Sequence, residues 1–169
     1  MKKLILFALS ISLLLSGCTS ERSGNFKLYL TDQPIDIDNA EEILVTISEI
    51  SVQKAEEGFL TVWTGIHTYD LLILRNKEEI ILDNELEQGM YTQIRLVVTK
   101  GEIVIAGKPH GMTIPSSEVK IPVVFNIMDG GVTEIVLDFE AEHSIHVLNA
   151  GQSEQYILRP VVKVKSISY

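Results

Sequence analysis

The sequence predicts an all-β domain built as an antiparallel β-sandwich, and three features of the chain favour this fold class. Short segments rich in β-branched and aromatic residues recur from residue 26 onward. Clusters of glycine, proline, asparagine and aspartate separate these segments and mark turns. No segment keeps a helical period of apolar residues for more than two turns. Short strands at such regular spacing are typical of two packed sheets.

The predicted strands follow from the positions of the apolar segments and of the turn residues between them. Pro122 places its strand at a sheet edge, because proline cannot donate a ladder hydrogen bond. Lys100 and Gly101 predict a hairpin turn, and residues 107–117 predict a loop with one short strand around Met112. Single helical turns are expected over 38–42 and 84–88. The predicted strands cover residues 26–30, 43–52, 59–63, 69–74, 79–82, 91–99, 102–106, 119–125, 133–139, 144–148 and 156–164.

Two of these strands have patterns that predict which side chains face the core. In segment 43–52 the alternation of apolar residues moves by one position partway along, which predicts a bulge near Ser48 and Glu49. In segment 91–99 the alternation is regular, with Gln93 and Arg95 on the outer face. The expected inward side chains are Ile43, Val45, Ile47, Ile50 and Val52 in the first strand and Ile94, Leu96 and Val98 in the second.

The amino terminus has the pattern of a bacterial lipoprotein signal peptide over residues 1–17. Two lysines precede an apolar run over 4–15, which is shorter than the ~20 residues that a membrane-spanning helix needs. The run ends in Leu-Ser-Gly-Cys, a lipobox that places small residues before the cleavage point and a thiol after it. We therefore expect Cys18 to carry the lipid, including palmitate, and residues 18–24 to form a short spacer. The alternative is an ordinary secretory signal with an incidental cysteine.

Composition limits the functions of the mature chain, which is expected to hold a single domain over residues 25–169. Removal of the leader leaves 152 residues with 12 basic and 23 acidic side chains, a net charge of −11. This charge argues against nucleic acid as a partner and against attraction to anionic lipid. Since the chain has one cysteine, acylation of Cys18 leaves none for disulfides, thiol catalysis or cysteine-ligated metals. We expect an extracytoplasmic protein, anchored in the cell membrane or the outer membrane.

Five segments of the chain together resemble the Domain of Unknown Function 4382 lipoproteins. They occur in the expected order and span most of the mature chain, although Gln33 stands where the family usually has alanine. The resemblance implies an immunoglobulin-like or transthyretin-like β-sandwich on a surface or periplasmic lipoprotein, and it implies no catalytic residue. The segments are Leu-Tyr-Leu-Thr-Asp-Gln-Pro-Ile-Asp from Leu28, Val-Thr-Ile-Ser-Glu-Ile from Val45, Tyr-Asp-Leu-Leu-Ile-Leu from Tyr69, Gly-Met-Tyr-Thr-Gln-Ile-Arg-Leu from Gly89, and Leu-Arg-Pro-Val-Val from Leu158.

Candidate calcium ligands lie in the loop after the first predicted strand. Asp32, Asp36 and Asp38 offer carboxylate oxygens at close spacing, and calcium prefers oxygen ligands. The segment lacks the Asp-x-Asp-x-Asp-Gly pattern, and Pro34 restricts its folding. The alternative is an Asx turn at Asp32 that ends the strand.

Other polar and aromatic side chains suggest weaker sites. Trp63 is the candidate for stacking on a sugar or a peptide, within a set of aromatics that core packing explains equally well. His143 and His146 are three residues apart in a predicted strand, which sends them to opposite faces and disfavours zinc. Arg95 and Arg159 are expected to pair with Asp70 or Asp138. The other aromatic members are Phe59, Tyr69, Tyr91 and Phe125, and the other histidines are His67 and His110.

The expected function is non-enzymatic: a membrane-tethered domain that binds an envelope protein or a glycan, or that supports an envelope assembly. No Gly-x-Ser-x-Gly nucleophile elbow accompanies the serines, and no cofactor motif is present apart from the lipidated Cys18. The alternative is a small-ligand module for carbohydrate or calcium. A third alternative is a hydrolase whose residues converge only in three dimensions.

Overall fold

The structure is a computed structural model that describes residues 22–32, 39–150 and 153–169. Most of these residues are in strands, and the one helix among them, α1 (Ala141–Ser144), is a single turn. The strands are β1 (Ser23–Thr31), β2 (Ala40–Lys54), β3 (Phe59–Asp70), β4 (Glu79–Glu87), β5 (Gly89–Ile105), β6 (Lys108–Thr113), β7 (Glu118–Ile127), β8 (Val132–Phe139), β9 (Ile145–Ala150), β10 (Ser153–Leu158) and β11 (Val162–Ser168). None of the helices in the described ranges has the length and apolar character needed to span a bilayer.

The strands form two packed sheets, which confirms the predicted β-sandwich. The smaller sheet has the order β11-β8-β1-β4, and the larger has the order β3-β2-β5-β6-β10-β9. Strand β7 also pairs with β5, beside the start of that long strand. Both sheets are mixed rather than wholly antiparallel, since β1 runs parallel to β8 and β10 runs parallel to β6.

The core lies between the sheets and is held by aliphatic and aromatic side chains from both. A stack of three rings crosses the interface: Phe26 of β1 lies 5.1 Å from Phe125 of β7, and Phe125 lies 5.2 Å from Tyr91 of β5. All three rings are fully buried. Because the chain has a single cysteine and so forms no disulfide within itself, such packing is the main source of its stability.

Several predictions from alternation are confirmed. The expected inward residues of β2 and β5 are all buried. Ser48 is an extra residue of β2 against β5, at the predicted bulge. Pro122 lies in β7, which pairs with β5 alone among the described strands. The short strand expected around Met112 is β6.

Two predicted interruptions at glycines are wrong. Strand β5 continues through Lys100 and Gly101, because these residues pair with Thr46 and Val45 of β2. Gly101 also packs tightly against Leu158 and Met112, where a Cβ would lie 2.7 Å from Leu158 Cδ2. The hairpin turn instead uses the positive φ angles of Ala106 and Gly107. Strand β3 likewise runs through Gly65, which lies in the predicted gap between the strands 59–63 and 69–74. A glycine therefore marks a close approach in both strands rather than a turn.

Four more predicted segments differ from the structure. Residues 84–87 belong to β4 rather than to a helical turn, because they pair with β1. Residues 71–74 form a turn rather than a strand, since Asp70 accepts the Leu72 and Leu74 backbone N–H groups and ends β3. The predicted strand over 156–164 is divided at Arg159 and Pro160, where the chain leaves β10 in one sheet and enters β11 in the other. Of the helical turn expected over 38–42, residues 40–42 begin β2, and residue 38 lies outside the described residues.

Candidate binding groove between two edge strands

The free edges of the two sheets meet along one side of the sandwich. Strand β3 is the last strand of the larger sheet and β4 is the last strand of the smaller sheet. The side-chain amide of Asn84 in β4 donates a 3.0 Å hydrogen bond to the backbone carbonyl of Val62 in β3. Among the described residues, no other strand pairs with the outer side of β3 or of β4. The hydrogen bond from Asn84 links these two edges.

A groove with a volume of about 420 Å³ lies between these edges. Its size falls within the range of small-molecule sites. Five of its seven lining residues are apolar, and Ile80 at its rim is 46% exposed. The lining residues are Val62, Trp63, Ile80, Ile81, Leu82, Asp83 and Asn84, a set that we call the edge groove.

Each edge strand has a β-bulge at the edge groove. Val62 is an extra residue of β3, because Trp63 and Thr61 pair with the consecutive β2 residues Ile50 and Ser51. Ile81 is an extra residue of β4, because Leu82 and Ile80 pair with the consecutive β1 residues Leu28 and Tyr29. Bulges are frequent at sheet edges and beside functional sites, where they change the direction of a side chain and interrupt regular pairing.

Trp63 is held in the edge groove by its contact with Gly65. A Cβ on Gly65 would lie 2.6 Å from Cζ2 of the indole, so only glycine at this position leaves room for the ring. Further along β3, beyond Gly65, the centroids of the His67 and Tyr69 rings lie 4.5 Å apart. Burial, with a contribution from the Glu79 carboxylate, raises the pKa of Tyr69 to about 12. The close contact with Gly65 thus fixes the position of the Trp63 ring on the β3 side of the groove.

The β4 side of the edge groove is acidic. Glu79, Asp83 and Glu85 lie along β4, and no lysine or arginine of the described chain comes within ion-pair distance of them. Asp83 accepts a 2.8 Å hydrogen bond from the Asn25 amide. Uncompensated carboxylates beside an apolar groove favour a cationic ligand.

Comparison with known proteins shows the family. The model of a domain of unknown function, DUF4382, matches residues 23–160, which is most of the chain. The chain belongs to the DUF4382 family. No curated protein and no solved structure matches it.

The described part of this DUF4382 domain includes one of the three aspartates proposed for calcium. Asp32 is buried, and its Oδ1 accepts a 3.2 Å hydrogen bond from the Ala141 backbone N–H. Asp36 and Asp38 lie outside the described residues, as does Cys18. No cluster of three or more His, Cys, Asp or Glu side chains suited to a metal occurs in the described ranges. The calcium site stays a prediction.

The aromatic residues of the DUF4382 domain separate into core and surface. Tyr69, Tyr91 and Phe125 are buried and cannot contribute to a surface platform. Phe59 lies on the outer face of β3, where the Arg95 guanidinium carbon is 4.2 Å from the ring centroid. Trp63 alone of the five lines the edge groove.

Two predicted polar arrangements are corrected. Arg95 faces Glu49 at 3.8 Å and Glu118 at 3.7 Å instead of Asp70 or Asp138. Asp70 instead accepts backbone N–H groups, as described for the end of β3, and it also accepts the Ile43 N–H. His143 lies in α1 rather than in a strand, and His146 lies in β9, so strand alternation does not relate them.

The groove residues other than Trp63 were not predicted as a site from the sequence. Ile80, Ile81 and Leu82 have an ordinary apolar strand pattern, and Asn84 resembled a turn residue. Their role depends on which edge of one sheet packs beside which edge of the other. The one available signal was the pair of consecutive apolar residues Ile81 and Leu82, since two adjacent inward side chains indicate a bulge.

Proposed function

We propose that this protein is an exported lipoprotein, held at a membrane through Cys18, whose edge groove binds an extended basic segment of another envelope protein. The observation that supports the binding role best is the meeting of two free sheet edges around an apolar groove. The support for the anchor is the lipobox that ends at Cys18.

An extended segment suits the edge groove better than a compact ligand. Unpaired edge strands offer backbone N–H and C=O groups to an added strand, and side-chain pockets then give specificity. The bulges at Val62 and Ile81 limit regular pairing to short stretches. Contacts of the partner's side chains with Trp63 and Ile80 would therefore supply much of the affinity.

Charge supports a basic partner. The β4 edge presents Glu79, Asp83 and Glu85, and the mature chain is strongly acidic overall. Lysine or arginine side chains that alternate with apolar ones would place their charges beside these carboxylates and their apolar groups in the groove. An acidic segment would be repelled.

Trp63 makes the binding proposal testable, because it is the only tryptophan in the chain. The probe is a peptide of about ten residues that alternates lysine with valine, a spacing that matches one face of a strand. We expect this peptide to shift and enhance the Trp63 emission in a saturable titration. The matched peptide that alternates glutamate with valine is expected to leave the emission unchanged.

Two variants locate the effect. Ile80→Lys adds a positive charge at the groove rim and is expected to abolish the emission change. Val124→Lys makes the same substitution at an exposed aliphatic residue of β7 and is expected to bind like the wild type. Equal responses to both peptides, or an undiminished response of Ile80→Lys, would refute the basic-segment proposal. An emission change with chitooligosaccharide and with neither peptide would favour the glycan instead.

The anchor has a separate test. Cells that express the full chain are fed an alkynyl analogue of palmitate, and the purified protein is analysed for incorporated label. We expect label on the wild type and none on Cys18→Ser, which keeps the size of the side chain. Label on both proteins would place the lipid elsewhere, and label on neither would contradict the anchor.

A further inference from the structure

The point where the chain enters β1 is fixed by backbone hydrogen bonds on both sides. The Gln88 N–H donates to the Arg22 carbonyl at 2.7 Å, and the Gly130 N–H donates to the Ser23 carbonyl at 2.8 Å. The Asn25 N–H donates to the Gly131 carbonyl at 2.9 Å. The start of the domain is therefore clamped between the β4–β5 link and the β7–β8 turn, and it cannot swing relative to the sandwich.

The distance from this clamp to the proposed anchor is short. Cys18 and Arg22 are four residues apart, so their Cα atoms are separated by at most about 14 Å. Strand β1 itself, with nine residues, is about 30 Å long. A lipid on Cys18 thus keeps the end of the sandwich at Arg22 near the membrane, and the length of β1 allows the other end to lie far from it.

The clamped end exposes two methionines. Met128, in the β7–β8 turn, is 49% exposed and lies directly against Gly24 and Gly131. Met90, at the start of β5, is exposed to a similar extent, and its carbonyl accepts the Ala55 N–H from the β2–β3 turn. Methionine is flexible and apolar, which suits contact with irregular lipid surfaces.

The charges at this end are largely paired within the protein. Lys54 contacts Glu57 at 3.2 Å and Glu87 at 2.6 Å, and Arg22 lies 4.0 Å from Asp129. The end therefore has no excess of cations to attract anionic lipid. Apolar contact, added to the lipid chains, is the remaining source of attraction.

We infer that the end of the sandwich formed by Arg22, Met90 and Met128 rests on the lipid surface in a fixed orientation. The inference depends on the proposed anchor at Cys18 and goes beyond it, because an anchor alone does not orient a domain. Membrane contact at this end leaves the edge groove open at the side, since its β4 residues pair with the middle of β1.

Single-cysteine labelling tests the orientation, because acylation occupies the only native cysteine. The lipidated full chain carrying Met128→Cys is labelled with an environment-sensitive fluorophore and reconstituted into phosphatidylcholine vesicles that contain nitroxide-headgroup lipid. We expect a loss of fluorescence at position 128 and a blue shift of its emission. Met90→Cys is a second reporter of the same end and is expected to respond likewise.

Ile73→Cys is the matched control, because Ile73 is an equally apolar, exposed residue in the turn after β3, at the opposite end. Its label is expected to keep full fluorescence. Vesicle-bound protein whose labels at 73 and 128 are quenched equally, or neither of which is quenched, would overturn the orientation while leaving the anchor intact. Protein that does not associate with vesicles at all would instead refute the anchor.

Discussion

The backbone at Gly65 lies so close to the Trp63 indole that any other side chain there must displace the ring. We predict that Gly65→Ala shifts the Trp63 emission to longer wavelength and lowers the free energy of unfolding by about 1–3 kcal/mol. Fluorescence-detected urea unfolding measures both effects. Gly58→Ala is the control, since a Cβ at Gly58 meets no atom within 4 Å. An unchanged emission spectrum in Gly65→Ala would contradict the proposed ring contact.

Tyr69 couples the stability of the domain to alkaline pH. Burial is the main cause of its raised pKa of about 12, which exceeds the value of about 10 expected in the unfolded chain. The folded state therefore favours the protonated phenol, and this contribution is complete below about pH 10 and lost as the pH rises to 12.

The corresponding prediction concerns Tyr69→Phe, which has no phenol to ionise. We expect its free energy of unfolding to fall less than that of the wild type between pH 9 and pH 11.5. The other buried tyrosines titrate in both proteins and cancel in the comparison. Chemical denaturation at the two pH values gives the difference, and parallel losses in both proteins would show that Tyr69 is not responsible.

Among the elements, β3 and β4 are joined across the edge groove by the Asn84 amide. We predict that Asn84→Ala lowers the free energy of unfolding by about 0.5–1.5 kcal/mol, the usual net contribution of one hydrogen bond. It should also increase aggregation, since it uncovers the Val62 carbonyl at a free edge. Asn126→Ala, at an exposed position of β7, is the control for urea unfolding and light scattering. Equal effects of the two substitutions would show that the Asn84 amide does not stabilise the contact between the two edges.

The strands also show how far sequence patterns predict structure. Alternation predicted the core face of β2 and β5 and the bulge at Ser48, because burial of one sheet face selects those side chains directly. The breaks predicted at Gly65 and Gly101 failed, because Gly65 makes room for the Trp63 ring and Gly101 makes room for Leu158 and Met112. For Gly101, a local pattern contains no information on a neighbour as distant in the chain as Leu158.

In the whole molecule, the ring stack of Phe26, Phe125 and Tyr91 joins the two sheets. We predict that Phe125→Ala lowers the free energy of unfolding by about 3–5 kcal/mol, the range for removing a buried phenylalanine. Phe59→Ala removes the same side chain from a partly exposed position on β3 and is expected to have a smaller effect. Thermal and urea unfolding of both variants measure the two losses in free energy of unfolding. A loss in Phe125→Ala no larger than that in Phe59→Ala would place the main core elsewhere.

The site is a property of the whole molecule as well, and this explains why the sequence predicted only Trp63 within it. The groove exists because β3 and β4 end separate sheets and then meet, while β4 contributes its acidic residues to the same side. The lipobox, in contrast, is read within a few consecutive residues. Together they support the proposal of a sandwich that rests on its clamped end and offers a lateral groove to proteins of the same envelope.

The binding of an extended basic segment in the edge groove is tested most directly by amide chemical shifts. The ¹⁵N-labelled domain is titrated with the alternating lysine–valine peptide while backbone resonances are followed. We expect the changes to concentrate in β3 and β4, with intermolecular contacts from valine methyl groups to Trp63 and Ile80. Changes centred on other strands, or a spectrum that does not respond to saturating peptide, would contradict this mode of binding.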